Sequence, residues 1–172
     1  METLRPVIDR EILENLAKRF PLNITSVETC LAFLHTTVEV YTALNTHFAR
    51  YGLSMGKFTL LMQLFQAPEQ GLTPSECAER AGVTRATITG LLDGLERSSL
   101  VQRQPNPVDR RMLSVHLTEK GRELLSEMLP DHFCRTTGLM ANLSNAEKLM
   151  LIELLGKLRS GTSAMVTECE QV

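Results

Sequence analysis

Two short clusters hold the side chains best suited to chemistry. The first is Thr84-Arg85-Ala86-Thr87 with Thr89, three hydroxyls and a guanidinium within six residues. The second is Asp109-Arg110-Arg111, set in the stretch NPVDRRMLSVHL at residues 106–117. Hydroxyls and guanidinium forks suit phosphate oxygens and the donor and acceptor edges of bases. Neither cluster pairs a nucleophile with a base, and no glycine-rich phosphate loop accompanies them. The four cysteines (30, 77, 134, 169) and four histidines (35, 47, 116, 132) show no metal-ligand spacing. No enzyme activity and no cofactor are expected, and the cysteines are expected to be reduced and mostly buried.

The elements that must position these clusters can be read from punctuation. Thr73-Pro74-Ser75-Glu76 combines a capping hydroxyl, Pro at the first helical position and the Glu of a capping box. Gly82 closes that helix, and a second runs from Thr84 to about Ser98. With Pro74 as position 1 of a helix-turn-helix, Ala78 is the small residue where the helices meet. Gly82 is then the turn, and Ile88 the apolar anchor of the second helix. Cys77, Ala81, Val83, Ile88 and Leu91 are expected to fill the shared core. The polar face of the second helix is Thr and Arg, not the Glu/Lys mixture of a merely solvated face. Residues 101–104 and 112–117 read as two strands. A hairpin directly behind a helix-turn-helix makes a winged helix, with Asp109, Arg110 and Arg111 at its tip. An Arg there suits a narrow, negative minor groove. Asp109 suits a brace for the guanidinium, Arg110 a phosphate contact, and Pro107 stiffens the bend.

Around this unit the periodicity is helical. Residues 9–19 form a short helix broken at Pro21. Residues 27–51 carry an apolar stripe too wide for one small lobe to bury. Ser54 to Phe65 is a further helix. Thr118 caps a helix in which Pro130 is expected to make a kink, and Ser144-Asn145-Ala146-Glu147 is a second capping box. The expected architecture is mainly α with a small β-hairpin wing. It comprises a helical arm at 1–26, a helical dimerisation region at 27–51 and 119–172, and a winged helix-turn-helix lobe at 52–118. No run approaches the ~20 apolar residues of a membrane-spanning helix and no signal-peptide pattern is visible, so a cytoplasmic location is expected. The chain carries net charge −2, yet residues 80–122 hold eight basic and four acidic residues, a balance of +4. A basic island in an otherwise acidic chain is an electrostatic footprint for nucleic acid.

The stretch GLTPSECAERAGVTRATITGLLDGLERSSLVQRQPNPVDRRMLSVHLTEKG resembles the MarR family of transcriptional regulators, and the resemblance extends over about residues 27–158. It implies a homodimer whose terminal helices interleave and whose two winged lobes bind a pseudo-palindromic duplex, more often as repressor than activator. It matches residues 84–90 to the recognition helix, and Asp109 and Arg111 to the wing motif. Two positions depart from the family pattern: Asn106 replaces a frequent acidic residue, and Gly90 a frequent Arg. Many relatives bind small phenolic or aromatic effectors between the dimer and DNA-binding regions. His47, Tyr51 and Phe58 are the candidates for such a pocket here, with simple packing between helices the competing reading. Cys30 resembles the thiol of a peroxide-sensing branch, but Leu34, Leu44 and Met55 stand where that branch has tyrosines. Apolar surroundings raise a thiol's pKa, so Cys30 is expected to be a buried structural residue. A thiol-based oxidation sensor using Cys30 is one alternative, and a winged helix serving only protein contacts is another.

Overall fold

The structure, a computed structural model, describes residues 10–106 and 112–166. Along the chain run α1 (Arg10–Ala17), α2 (Ile24–Ala49), α3 (Met55–Phe65), α4 (Pro74–Ala81), α5 (Arg85–Arg97), β1 (Val101–Pro105), β2 (Leu113–Leu117), α6 (Glu119–Leu139) and α7 (Asn145–Ser160). A 3₁₀ turn, Thr162–Met165, follows α7. No helix among the described residues is long and apolar enough to cross a membrane. The chain divides into two compact units, Met1–Leu125 and Ser126–Val172.

The core of the first unit comprises Phe48, Leu60, Leu61, Leu72, Cys77, Ile88, Leu92, Leu95, Val101, Val115 and Leu125, each almost inaccessible to solvent. On α5, Ile88, Leu92 and Leu95 recur at three- and four-residue intervals and form one inward stripe. The hairpin is antiparallel, with Val101 opposite Leu117, Arg103 opposite Val115 and Pro105 opposite Leu113. Leu72 adds an isolated bridge to Val115. Their amides donate reciprocally, Leu72 N to Val115 O at 3.2 Å and Val115 N to Leu72 O at 2.7 Å. A Cβ on Gly71, which has φ +73°, would lie 2.6 Å from the Val115 carbonyl oxygen. The chain can enter this bridge only through a glycine.

Side-chain caps set the helix boundaries. Asn23 starts α2 three residues earlier than its apolar stripe suggests, accepting from the Ser26 amide. Thr73–Glu76 and Ser144–Glu147 each form both hydrogen bonds of a capping box. The Thr73 amide and hydroxyl hold the Glu76 carboxyl below its usual range, and the Ser144 hydroxyl and amide do the same for Glu147. Gly82 ends α4 at φ +64°, ψ +32°. Its amide donates to Glu79 O, and the Val83 amide to Ala78 O, which is the Schellman arrangement. Val83 therefore lies outside both helices and is 41% exposed. It does not join the shared core as its apolar character suggests.

The start of α6 is fastened to the turn after α5. Ser99 sits at φ +58°. Its carbonyl accepts from the Thr118 hydroxyl at 2.7 Å, and Ser98 O accepts from Lys120 Nζ at 3.0 Å. The Thr118 amide donates to Leu100 O, and its hydroxyl oxygen accepts from the Gly121 amide. A Cβ on Gly121 would lie 2.2 Å from Leu100 O.

Two cysteines contradict the expectation of burial. Cys30 and Cys134 are exposed, and Cys77 is buried. Cys30 lies on α2, where Leu34, Val38 and Tyr41 are also exposed. Within one chain this face of α2 is not covered, so apolar neighbours in sequence do not enclose the thiol. Burial pushes the Cys77 thiol up to about 11, which keeps it protonated and inert. α6 continues through Pro130 as one helix.

Two predictions follow from these local constraints. Gly82→Ala meets no atom and carries only the left-handed backbone penalty, about 1–2 kcal/mol. Gly121→Ala must displace backbone and is expected to cost more, lowering the urea midpoint further; equal midpoints would contradict the close approach. The lowered carboxyl pKa values of Glu76 and Glu147 also have a sign. Their stabilisation is fully present above the unfolded value near 4.5 and is lost as pH falls through the folded value. Glu76→Gln/Glu147→Gln should therefore show a shallower fall of urea midpoint between pH 6 and pH 3 than the natural chain.

Candidate nucleic-acid interface

The candidate recognition surface is built outward from the anchor of α5. Because Ile88, Leu92 and Leu95 point inward, Arg85, Ala86, Thr87, Thr89 and Gly90 are turned to solvent, and all are exposed. Thr84 is not a free member of this face. It is the N-cap of α5, and its hydroxyl oxygen accepts from the Thr87 amide at 3.2 Å. The Thr84 and Thr87 hydroxyls also lie 2.9 Å apart, hydrogen-bonded to each other. The Thr89 hydroxyl donates to Arg85 O at 2.9 Å, which leaves its oxygen lone pairs for an outside donor. Arg85 makes no ion pair among the described residues. The first turn of α5 therefore offers a guanidinium, two methyl-bearing hydroxyl side chains and helix-terminal amides. That is a surface for anions and base edges.

The hairpin is held against this helix by charge. Arg103, on β1, donates from one terminal nitrogen to Asp93 at 2.6 Å and from the other to Glu96 at 2.9 Å. Its side chain is only 26% exposed. A planar fork bridges two carboxylates one helical turn apart with a fixed donor geometry that a flexible ammonium lacks. This strut fixes the strand leading to the hairpin tip relative to the helix, and the sequence reading missed it. The available signal was LLDGLE followed by Arg103 at a distance a tight turn can close.

Asn106 closes the base of the tip. It is 8% exposed, its amide donates to Met112 O, and its side-chain nitrogen donates to the buried Ser114 hydroxyl at 2.6 Å. A neutral amide here is a structural member of the hairpin, which accounts for the departure from an acidic residue. Pro107, Asp109, Arg110 and Arg111 lie outside the described residues.

His47, Tyr51 and Phe58 do come together, around Phe48. His47 meets Tyr51 edge-on at 5.6 Å, and Phe48 stacks on Phe58 at 4.4 Å with 21° between planes. His47 and Phe48 are buried. The rings join the end of α2 to α3, and the Met55 amide donates to Asn45 Oδ1 at the same junction.

Comparison with known proteins gives one answer. The MarR family model matches residues 53–113. The HTH-type transcriptional repressor YetL of Bacillus subtilis is 39% identical over 149 residues, covering 87% of this chain and 89% of its own. The HTH-type transcriptional regulator MhqR of the same organism is 30% identical over 115 residues, covering 67% and 78%. Among solved structures, Sco3205, a MarR family transcriptional regulator from Streptomyces coelicolor in complex with DNA, superposes with a TM-score of 0.75 at 22% identity. That match covers 81% of this chain and 89% of Sco3205. With the capped helix-turn-helix, the fastened hairpin and a relative matching nearly end to end, the chain belongs to the MarR family.

Proposed function

We propose that the chain is a sequence-specific DNA-binding transcriptional regulator, a repressor, acting in the cytoplasm as a homodimer on a pseudo-palindromic operator. The observation that carries the reading is α5. Its inner stripe is sealed in the core, and its first turn is exposed and furnished with Arg85, Ala86, Thr87 and Thr89. A helix so anchored can enter a major groove without unpacking. Thr84 serves that surface as its cap. In the sequence, Arg110 and Arg111 follow Asn106 within a few residues. Arg111 is assigned to the minor groove, Arg110 to a phosphate and Asp109 to bracing the guanidinium. Nothing in this reading calls for a catalytic group or a cofactor.

The apolar balance supports the dimer. α7 buries none of its residues, and Leu149, Ile152, Leu154, Leu155 and Leu158 on it are all at least 40% exposed. Exposed apolar surface on this scale marks a protein interface. The domain assignment follows: 52–118 contact DNA, and 27–51 with 119–172 build the dimer, with the 1–26 arm beside it. The His47, Tyr51 and Phe58 rings are assigned to packing between α2 and α3. A small aromatic or phenolic effector would have to separate them to bind there.

Two experiments test the proposal. In a gel shift at several salt concentrations, duplex carrying a pseudo-palindrome from the gene's own upstream region should bind well above random duplex of equal length; equal binding would sink specific recognition. Arg111→Ala should weaken that binding on the order of tenfold while leaving the melting temperature unchanged. In analytical ultracentrifugation the chain should sediment at twice its 19.2 kDa mass. Ile152→Lys should shift it toward monomer, because a charge would be buried without a partner. A natural chain that stays monomeric at micromolar concentration rules out the dimer.

A further inference from the structure

The two flanks of α5 are furnished differently. At 3.6 residues per turn, Asp93 and Glu96 fall on one side of α5, and the exposed Gly90 and the buried Gly94 on the other. The acidic flank is bridged by Arg103, which offsets one of its two charges. The other flank carries Thr87 and Leu91 beside the two glycines and no cation of its own. A Cβ on Gly90 would meet nothing within 4 Å.

A side chain from another element occupies the notch at Gly94. A Cβ on Gly94 would lie 3.1 Å from Lys57 Cε and 3.4 Å from Lys57 Nζ. One residue earlier on α3, a Cβ on Gly56 would lie 3.3 Å from a methyl of Leu91. The first turn of α3 is therefore pressed against α5 in fixed register, with the Lys57 stem laid across the notch at Gly94. Lys57 is half-buried, and among the described residues its ammonium has no carboxylate partner. It also stands in the first turn of its helix, where the backbone dipole disfavours a cation, and α3 has no acidic residue there to offset it. An ammonium with no carboxylate partner among the described residues, at the positive end of a helix and held beside α5, is a local concentration of positive charge that favours an outside anion.

We propose that Lys57 is a DNA-backbone contact: its stem fills the Gly94 notch and its ammonium meets a phosphate beside the groove that α5 enters. The cation that this flank of α5 lacks is delivered by α3. The contact is sequence-independent, because a phosphate is the same at every base step. It rests on the DNA-binding reading above.

The test is Lys57→Met in the full chain, since Met keeps an unbranched stem in the notch and removes only the charge. Affinity is measured by fluorescence anisotropy for the upstream pseudo-palindrome and for random duplex, across a salt series. The variant should lose affinity severalfold for both duplexes alike. The slope of log K against log salt should become shallower by about 0.9 per chain. Melting temperatures verify folding; Lys57→Gln, with the same expected result, takes its place should the Met variant melt early. An unchanged slope means that Lys57 only packs, and overturns the proposal. So does a loss confined to the pseudo-palindrome. If the natural chain binds neither duplex in a salt-dependent way, the DNA-binding reading fails as well, which separates the two failures.

Discussion

The parts of the chain proposed to face DNA depend on one turn, residues 98–100, and on what is fastened to it. α5 ends there, the hairpin begins there, and the start of α6 is bonded to it through Thr118 and Lys120. Three carbonyls in succession, at Ser98, Ser99 and Leu100, would otherwise be left over at a helix C-terminus, where backbone acceptors have no intrahelical donor. The next helix supplies the donors. Gly121 is the geometric condition for this, because any side chain would collide with Leu100 O. The recognition helix, the hairpin and the helix leading out of the lobe therefore share one anchor. Arg103 then fixes the hairpin's other degree of freedom, its tilt relative to α5, by spanning Asp93 and Glu96.

Much of this was legible in the sequence, and the legible part is local. The boundaries of α3, α4, α5 and α7 follow from Ser54, Thr73, Thr84 and Ser144, because a cap is decided by residues three apart. Gly82 could be read as a turn because a left-handed residue admits few alternatives. What could not be read depends on contacts distant in sequence. Val83 looks like core and is half-exposed because the Schellman turn carries it away from both helices. Cys30 sits in an apolar stretch but on a face of α2 that one chain leaves uncovered. Asn106 looked like a lost charge, and its meaning lay eight residues away, at Ser114. The same limit hid Lys57, whose role is set by a glycine on another helix.

The hydroxyls of the recognition helix show how structure narrows a chemical reading. From sequence, Thr84, Thr87 and Thr89 are equivalent donors and acceptors. In the fold, Thr84 and Thr87 bind each other at the cap, and Thr89 donates into its own helix. One hydroxyl hydrogen of the Thr84–Thr87 pair, acceptor lone pairs and methyl groups remain for a partner, so most of the donor chemistry of the first turn falls to Arg85 and the helix amides. A cap that shares its hydroxyl with the binding face also makes the face rigid, and rigidity lowers the entropy lost on binding.

The charge of α5 sharpens the point. Taken alone the helix is neutral, Arg85 and Arg97 balancing Asp93 and Glu96. A neutral helix approaching a polyanion gains little from long-range attraction, and two carboxylates facing a duplex would oppose it. The surroundings change the sign. Arg103 covers both carboxylates from the hairpin, and Lys57 stands over the opposite flank from α3, so the neighbours bring two positive charges to a helix that has none in surplus. Arg110 and Arg111 belong to the same +4 segment in a chain of net charge −2. Beyond Arg85 the helix can then keep small, uncharged side chains at 86–90, while cations from adjacent elements supply the attraction. Separating fit from attraction would let base preference change along residues 86–90 without loss of the charge that brings the protein to DNA.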